Sequence, residues 1–146
     1  MARRVMEMDV RSVVQWGGVW VGLLVAALGS SVAPSAAQNG FPFNTELTLE
    51  AAPMRGSKRI PNLEIGPSGE VIIELWCKGA RGRFSVAGDT IVFVPGAVDD
   101  RGCPADRAAA DDALLAALAD ISGWRRQGDV LVLTGTRELR FRRNTN

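Results

Sequence analysis

WCKGARGRFSVAGDTIVFVPGAVDDRGCPADRAAADDALLAALADI, running from Trp76 to Ile121, is the stretch whose reading decides the fold of this chain. It opens on Trp76-Cys77, passes Arg83–Val86 and the β-branched run Thr90–Val94 on either side of Ala87-Gly88-Asp89, returns to Cys103-Pro104 and ends in an alanine- and leucine-rich run. Glycine and aspartate between apolar runs are the chemistry of a tight turn, so Arg83–Val86 and Thr90–Val94 are expected to form a hairpin. Gly96–Gly102 reads as a loop. Pro104 stands where a helix tolerates proline, and Asp106 is placed to cap the first turn while its charge opposes the helix dipole. Ala110, Leu114, Ala117, Leu118 and Ile121 follow the spacing of one apolar face, which predicts a helix over residues 106–119 with Asp111, Asp112 and Asp120 left for water. The two cysteines are the only two present, so any disulfide joins Cys77 to Cys103 and staples a strand edge to the helix start.

Upstream of this stretch, Glu70 to Cys77 is β-branched and almost continuously apolar, which predicts a strand near the centre of the sheet, buried on both faces. Pro67-Ser68-Gly69 is a turn, Asn62–Ile65 a short strand, and residues 53–61 a polar loop. Thr45-Glu46-Leu47-Thr48-Leu49-Glu50 alternates with the period of a half-buried strand, with Leu47 and Leu49 inward. Downstream, strands are expected at Trp124–Gln127, Val130–Leu133 and Glu138–Arg142, the first two joined at Gly128-Asp129. The expected fold is therefore α+β, a curved antiparallel sheet of about seven strands forming a partial barrel with one packed helix.

At 146 residues and 47% apolar content the chain supports one core. Residues 1–37 read as a signal peptide. Arg3, Arg4 and Arg11 precede an apolar run from Val13 to Leu28, and Ser35 and Ala37 put small side chains at the positions a signal peptidase requires, so cleavage is expected after Ala37. Ala33 is a second choice. An uncleaved anchor is the alternative, since residues 13–33 approach the roughly 20 needed to span a bilayer; after cleavage no transmembrane span is expected. Of the 17 basic and 16 acidic residues, residues 1–37 hold three and two, which leaves 14 of each and no electrostatic reason to expect nucleic acid. The absence of histidine excludes His-dependent triads and His-ligated zinc.

Taken in order, Trp76-Cys77, the Gly88-Asp89 hairpin, Cys103, Asp112-Ala113-Leu114-Leu115-Ala116-Ala117-Leu118, Trp124, Gly128-Asp129-Val130-Leu131-Val132-Leu133 and Leu139-Arg140-Phe141 resemble the META domain, the HslJ-like family of small secreted or envelope proteins. The resemblance covers residues 61–143, leaving residues 38–60 as a leader strand and loop. It departs around both cysteines, where the family has Gly-Cys-Asn and a Thr-x-Met-Ala-Cys-like approach and this chain has Trp76-Cys77-Lys78 and Asp99-Asp100-Arg101-Gly102-Cys103. The resemblance implies an antiparallel sheet curling around one helix, an envelope location and a loose association with stress tolerance, and it implies no enzyme; the signal peptide adds the expectation of a periplasmic or secreted location.

The residues themselves offer four places to weigh. An export signal places Cys77 and Cys103 in an oxidising compartment, where a disulfide is expected. Asp99, Asp100 and Asp106 flank Cys103, but their spacing fits no EF-hand and Arg101 sits among them, so they read as solvated acids, with no metal and no cofactor expected. Arg140, Arg142 and Arg143 on an outward strand face offer contact with an anionic envelope surface or an acidic partner. Trp76 and Trp124 would line a ligand pocket if the sheet curls far enough. These features favour a non-catalytic envelope protein working through protein or surface contacts. The alternatives are a small hydrophobic-ligand carrier using the barrel interior, and a secreted inhibitor of an envelope hydrolase presenting the Val94–Cys103 loop.

Overall fold

Period-two alternation of apolar and polar side chains gives each strand one face that must leave water, and here those faces turn to a common interior. The computed structural model describes residues 40–144. Its elements are β1 (Thr45–Leu49), β2 (Asn62–Ile65), β3 (Glu70–Glu74), β4 (Gly79–Ala87), β5 (Thr90–Asp99), α1 (Ala105–Ala119), β6 (Gly123–Gln127), β7 (Val130–Thr134) and β8 (Leu139–Arg143). The expected signal peptide and its cleavage point lie outside the described residues. No helix among the described residues is long and apolar enough to cross a membrane.

All eight strands run antiparallel to their neighbours in chain order, and β8 returns to β1 with Phe141 opposite Leu49 and Arg143 opposite Leu47. The expectation of about seven strands in a partial barrel is corrected to eight in a closed one. The reason is β1: as a leader strand it would have one neighbour, whereas it pairs with β2 along one edge and β8 along the other. Closure gives its backbone donors and acceptors partners on both sides, which an open sheet cannot do for its outer strands.

The barrel wall also corrects β3. It alternates, with Val71 and Ile73 buried and Ile72 41% exposed, because a wall strand has only one inward face. β4 and β5 continue well past the expected hairpin, to Gly79 and Asp99, so most of the segment read as the 96–102 loop is strand. A register shift between Ala80 and Gly82 allows this, and Gly82 sits where a Cβ would collide with the ring of Phe93. At the hairpin tip Gly88 has φ +62°, a conformation that favours glycine.

One seam is thin. β5 and β6 meet through a single pair, Thr90 opposite Gly123, and because both are first residues of antiparallel strands, the two strands then run apart. α1 connects the far end of β5 back to this point and supplies the missing wall, burying Leu114, Ala117, Leu118 and then Ile121 in the same core as Phe84, Phe93, Leu131 and Phe141. Each large side chain buried there contributes about 1.5 to 3 kcal/mol of hydrophobic stabilisation. Asp106 does not cap this helix. The N-cap position is Pro104, without a side-chain cap, and Asp106 lies inside the first turn where only its charge acts.

Candidate functional site

The turn from β3 to β4 consists of Leu75, Trp76, Cys77 and Lys78, and Leu75 is buried. Three successive backbone N–H groups from this turn need acceptors. They find them in one carboxylate: Trp76 N donates to Asp111 Oδ1 at 2.9 Å, and Cys77 N and Lys78 N donate to Asp111 Oδ2 at 3.0 and 2.8 Å. Asp111 is 0% exposed. The expectation that Asp111 points to water is therefore overturned, because the turn offers it three donors that no other described side chain serves. Beside it, Lys78 is buried and its Nζ donates to Asp112 Oδ1 at 2.7 Å, which raises the Lys78 pKa above the ordinary lysine value.

Cys77 and Cys103 are joined, with Cα atoms 5.8 Å apart, as expected from sequence. The disulfide, the Asp111 carboxylate and the Lys78–Asp112 ion pair thus tie one turn to the first half of α1. Around them, Glu74 accepts from Arg59 Nη1 at 3.1 Å and from Arg101 Nη1 at 3.0 Å, and Arg101 Nε donates to Asp99 Oδ2 at 2.9 Å. The Arg101 bond, opposed by partial burial, holds the Glu74 carboxyl below its usual pKa. A cleft of about 220 Å³ opens here between the 57–59 loop, Trp76, Cys77, Arg101 and Arg107.

The tryptophans do not share a pocket. Trp76 follows β3 near Gly79, whereas Trp124 donates its Nε1 to Gly88 O at 2.8 Å, beyond the other end of β4, and packs edge-on against Phe41 at 5.2 Å. Nine residues of β4 separate these positions. The interior between them is filled by the core side chains, and the described clefts lie on the outer surface.

Leu139 and Phe141 face inward and Arg140 and Arg142 outward, as the alternation predicts. Arg140 donates to Glu50 at 2.9 Å, to Glu138 at 3.3 Å and to Gln127 at 3.1 Å, and Arg142 donates to Glu50 as well. Arg140 first, then Arg142, keeps Glu50 below its usual pKa, and Arg125 does the same to Glu138. Arg143 has no ion pair among the described residues. Asp99 and Asp106 are not brought into a metal cluster; among the described residues no group of three or more acidic or thiol side chains is placed to hold a metal.

A closed antiparallel barrel whose open seam is filled by one helix, stapled to the wall by a disulfide and a buried aspartate, defines a small stapled barrel domain. The META domain family matches residues 44–146, from just before β1 to the end of the chain, and the chain belongs to that family. Two structures solved by NMR share the fold. One, from Burkholderia xenovorans, has 18% identity and a TM-score of 0.55, covering 71% of this chain and 84% of its own. The other has 13% identity and a TM-score of 0.53, covering 68% of this chain and 88% of its own. Comparison with curated proteins finds no match.

Asp111 is the residue that sequence reasoning missed. Its spacing of three and seven residues before Leu114 and Leu118 places it on the buried stripe of α1, and an acid there needs buried donors.

Proposed function

We propose that this META-domain chain is a non-catalytic envelope protein that acts by contact between its outer surface and another protein, in a role connected with envelope stress tolerance. The observation that supports this reading most is an apolar outer face on a barrel whose interior is already filled. Ile72, Val92, Val94 and Val98 are 41, 50, 52 and 50% exposed. Val92 and Val94 alternate on β5 and share its outward side, while Ile72 and Val98 border one surface cleft. Apolar side chains left exposed on the outer wall, interleaved with Arg81, Arg83 and Ser85 of β4, favour a protein partner. Export is supported by the basic-then-apolar segment at residues 1–37 and by a disulfide of the kind that persists in oxidising compartments.

The other readings have less behind them. A carrier needs interior space that the core side chains occupy. An inhibitor needs a rigid loop at Val94–Cys103, where β5 runs to Asp99. Contact of Arg140, Arg142 and Arg143 with an anionic surface competes with the glutamates already bonded to the first two. The test is a photo-reactive side chain placed in cells at Val94 or, separately, at Arg142. A discrete protein adduct from Val94 and none from Arg142 is expected; adducts from Arg142 alone would overturn the assignment.

A further inference from the structure

We infer that the cleft at the disulfide end binds a small oxyanion, a carboxylate or phosphate group, held by Lys58 and Arg107 against Trp76. Four cationic side chains, Lys58, Arg59, Arg101 and Arg107, border a single cleft of about 220 Å³. Arg59 and Arg101 are committed to Glu74, and Arg101 also to Asp99. That leaves Lys58 and Arg107 without an ion pair among the described residues, while both face the same space. Unpaired positive charges converging on a concavity that already holds two paired ones favour an anion over water.

The cleft is built rather than fortuitous. Ser57 Oγ donates to Trp76 O at 2.9 Å and accepts from Arg59 N at 3.0 Å, which fixes the loop bearing Lys58 to the Trp76 backbone. Arg107 Nη1 donates to Gly56 O at 2.9 Å, fixing that guanidinium to the same loop and leaving it further N–H donors. The Trp76 indole N–H is buried without a hydrogen-bond partner, the one such side-chain atom among the described residues. That donor is closed off from the cleft, so an anion there meets the Trp76 side chain without its N–H, and the charge-assisted hydrogen bonds come from Lys58 and Arg107. α1 begins two residues before Arg107 with no side-chain cap on its first turn, so its dipole adds positive potential at this end. This inference does not rest on the protein-contact face, because Val92 and Val94 take no part in the cleft.

The experiment is a titration of the ¹⁵N-labelled protein with inorganic phosphate and, separately, acetate at constant ionic strength, with chloride as the control. Saturable shifts of the Trp76 indole and Lys58 amide resonances are expected with at least one oxyanion, and which of the two saturates first identifies phosphate or carboxylate as the preferred group. The Lys58→Gln/Arg107→Gln double variant spares the bonds to Glu74, and should keep its melting temperature while binding weakens by about tenfold or more, as the loss of charge-assisted hydrogen bonds requires. Shifts equal to those with chloride, or unchanged in the double variant, would overturn the site.

Discussion

Replacing Asp111 tests the central claim about how this fold is held. Asp111→Ala removes the acceptor for three backbone N–H groups at 2.8 to 3.0 Å, of which the Lys78 bond is fully buried and the Trp76 and Cys77 bonds partly so. Hydrogen bonds to a charged acceptor contribute roughly 1.5 to 3 kcal/mol each, but water reaching the two partly buried donors and the removal of a buried charge both reduce the loss. A net destabilisation of about 3 to 5 kcal/mol follows. Asp111→Asn keeps the shape and turns one oxygen into a donor, so at least one N–H meets another N–H, at about 2 to 3 kcal/mol. Urea unfolding measures both. The disulfide holds the same turn, so the loss should couple to it: in a double-mutant cycle with Cys77→Ala/Cys103→Ala, a non-additivity of about 0.5 to 3 kcal/mol is expected. A loss below about 1 kcal/mol for both single variants, or strict additivity with the cysteine change, would refute the reasoning.

Three further outcomes are expected. Reducing the Cys77–Cys103 bond, which spans a sequence separation of 26, should lower the melting temperature by the equivalent of roughly 3 to 4 kcal/mol, and complete alkylation without reductant would show that the bond does not form. Leu118→Asp places an unpaired carboxylate at a fully buried position and should unfold the domain, whereas Asp112→Ala costs only the partner of Lys78; similar melting temperatures for the two would place the wrong face of α1 inward. Glu50, Glu74 and Glu138 have depressed pKa values through Arg140, Arg101 and Arg125, so their stabilisation is complete above the unfolded glutamate value of about 4.3 and is lost as pH falls through the folded values. Lys78 is raised by Asp112, so its stabilisation is complete below about 10.4 and is lost as pH rises through its folded value; urea midpoints should be level between these limits and fall on both sides, and a rise on acidification to about pH 3 would contradict the ion pairs.

The elements most legible in the sequence are those whose side chains report their own surroundings. Asn62–Ile65 is a strand at those bounds, Leu47 and Leu49 face inward, Leu114, Leu118 and Ile121 lie on the buried helix face, and Gly88 turns the hairpin. What escaped depends on neighbours distant in the chain. Closure needs β8 beside β1, about ninety residues away, and alternation in Thr45–Leu49 is the same whether one edge or both are paired. The extension of β5 through Pro95 and Gly96 was hidden because both residues signal loops. Proline is tolerated in a strand at an unpaired edge or an irregularity, and β5 supplies both: its outer side has no strand partner beyond Thr90, and its pairing with β4 shifts near Gly82. The candidate cleft was illegible for a similar reason, since Lys58, Trp76 and Arg107 belong to three segments that only the disulfide end brings together.

The placement of the staples follows from that thin seam. Beyond its one pair with β6, β5 would present an open apolar edge, and such edges invite pairing with other chains. α1 occupies that side, but only the apolar contacts of its inner face and a few polar bonds hold it to the wall. Its first half is fixed to the β3–β4 turn by Asp111, by the Lys78–Asp112 pair and by the disulfide just before it. Its second half is fixed to the β7–β8 turn, where Thr136 Oγ1 donates to Asp120 at 3.0 Å and Arg137 to Ala113 O at 3.1 Å. The stronger anchors therefore sit where α1 is farthest from the β5–β6 pair and where the wall has no strand to fall back on. Val92 and Val94 on the outward side of β5 remain exposed, which leaves apolar side chains available for contact on the wall beside that seam.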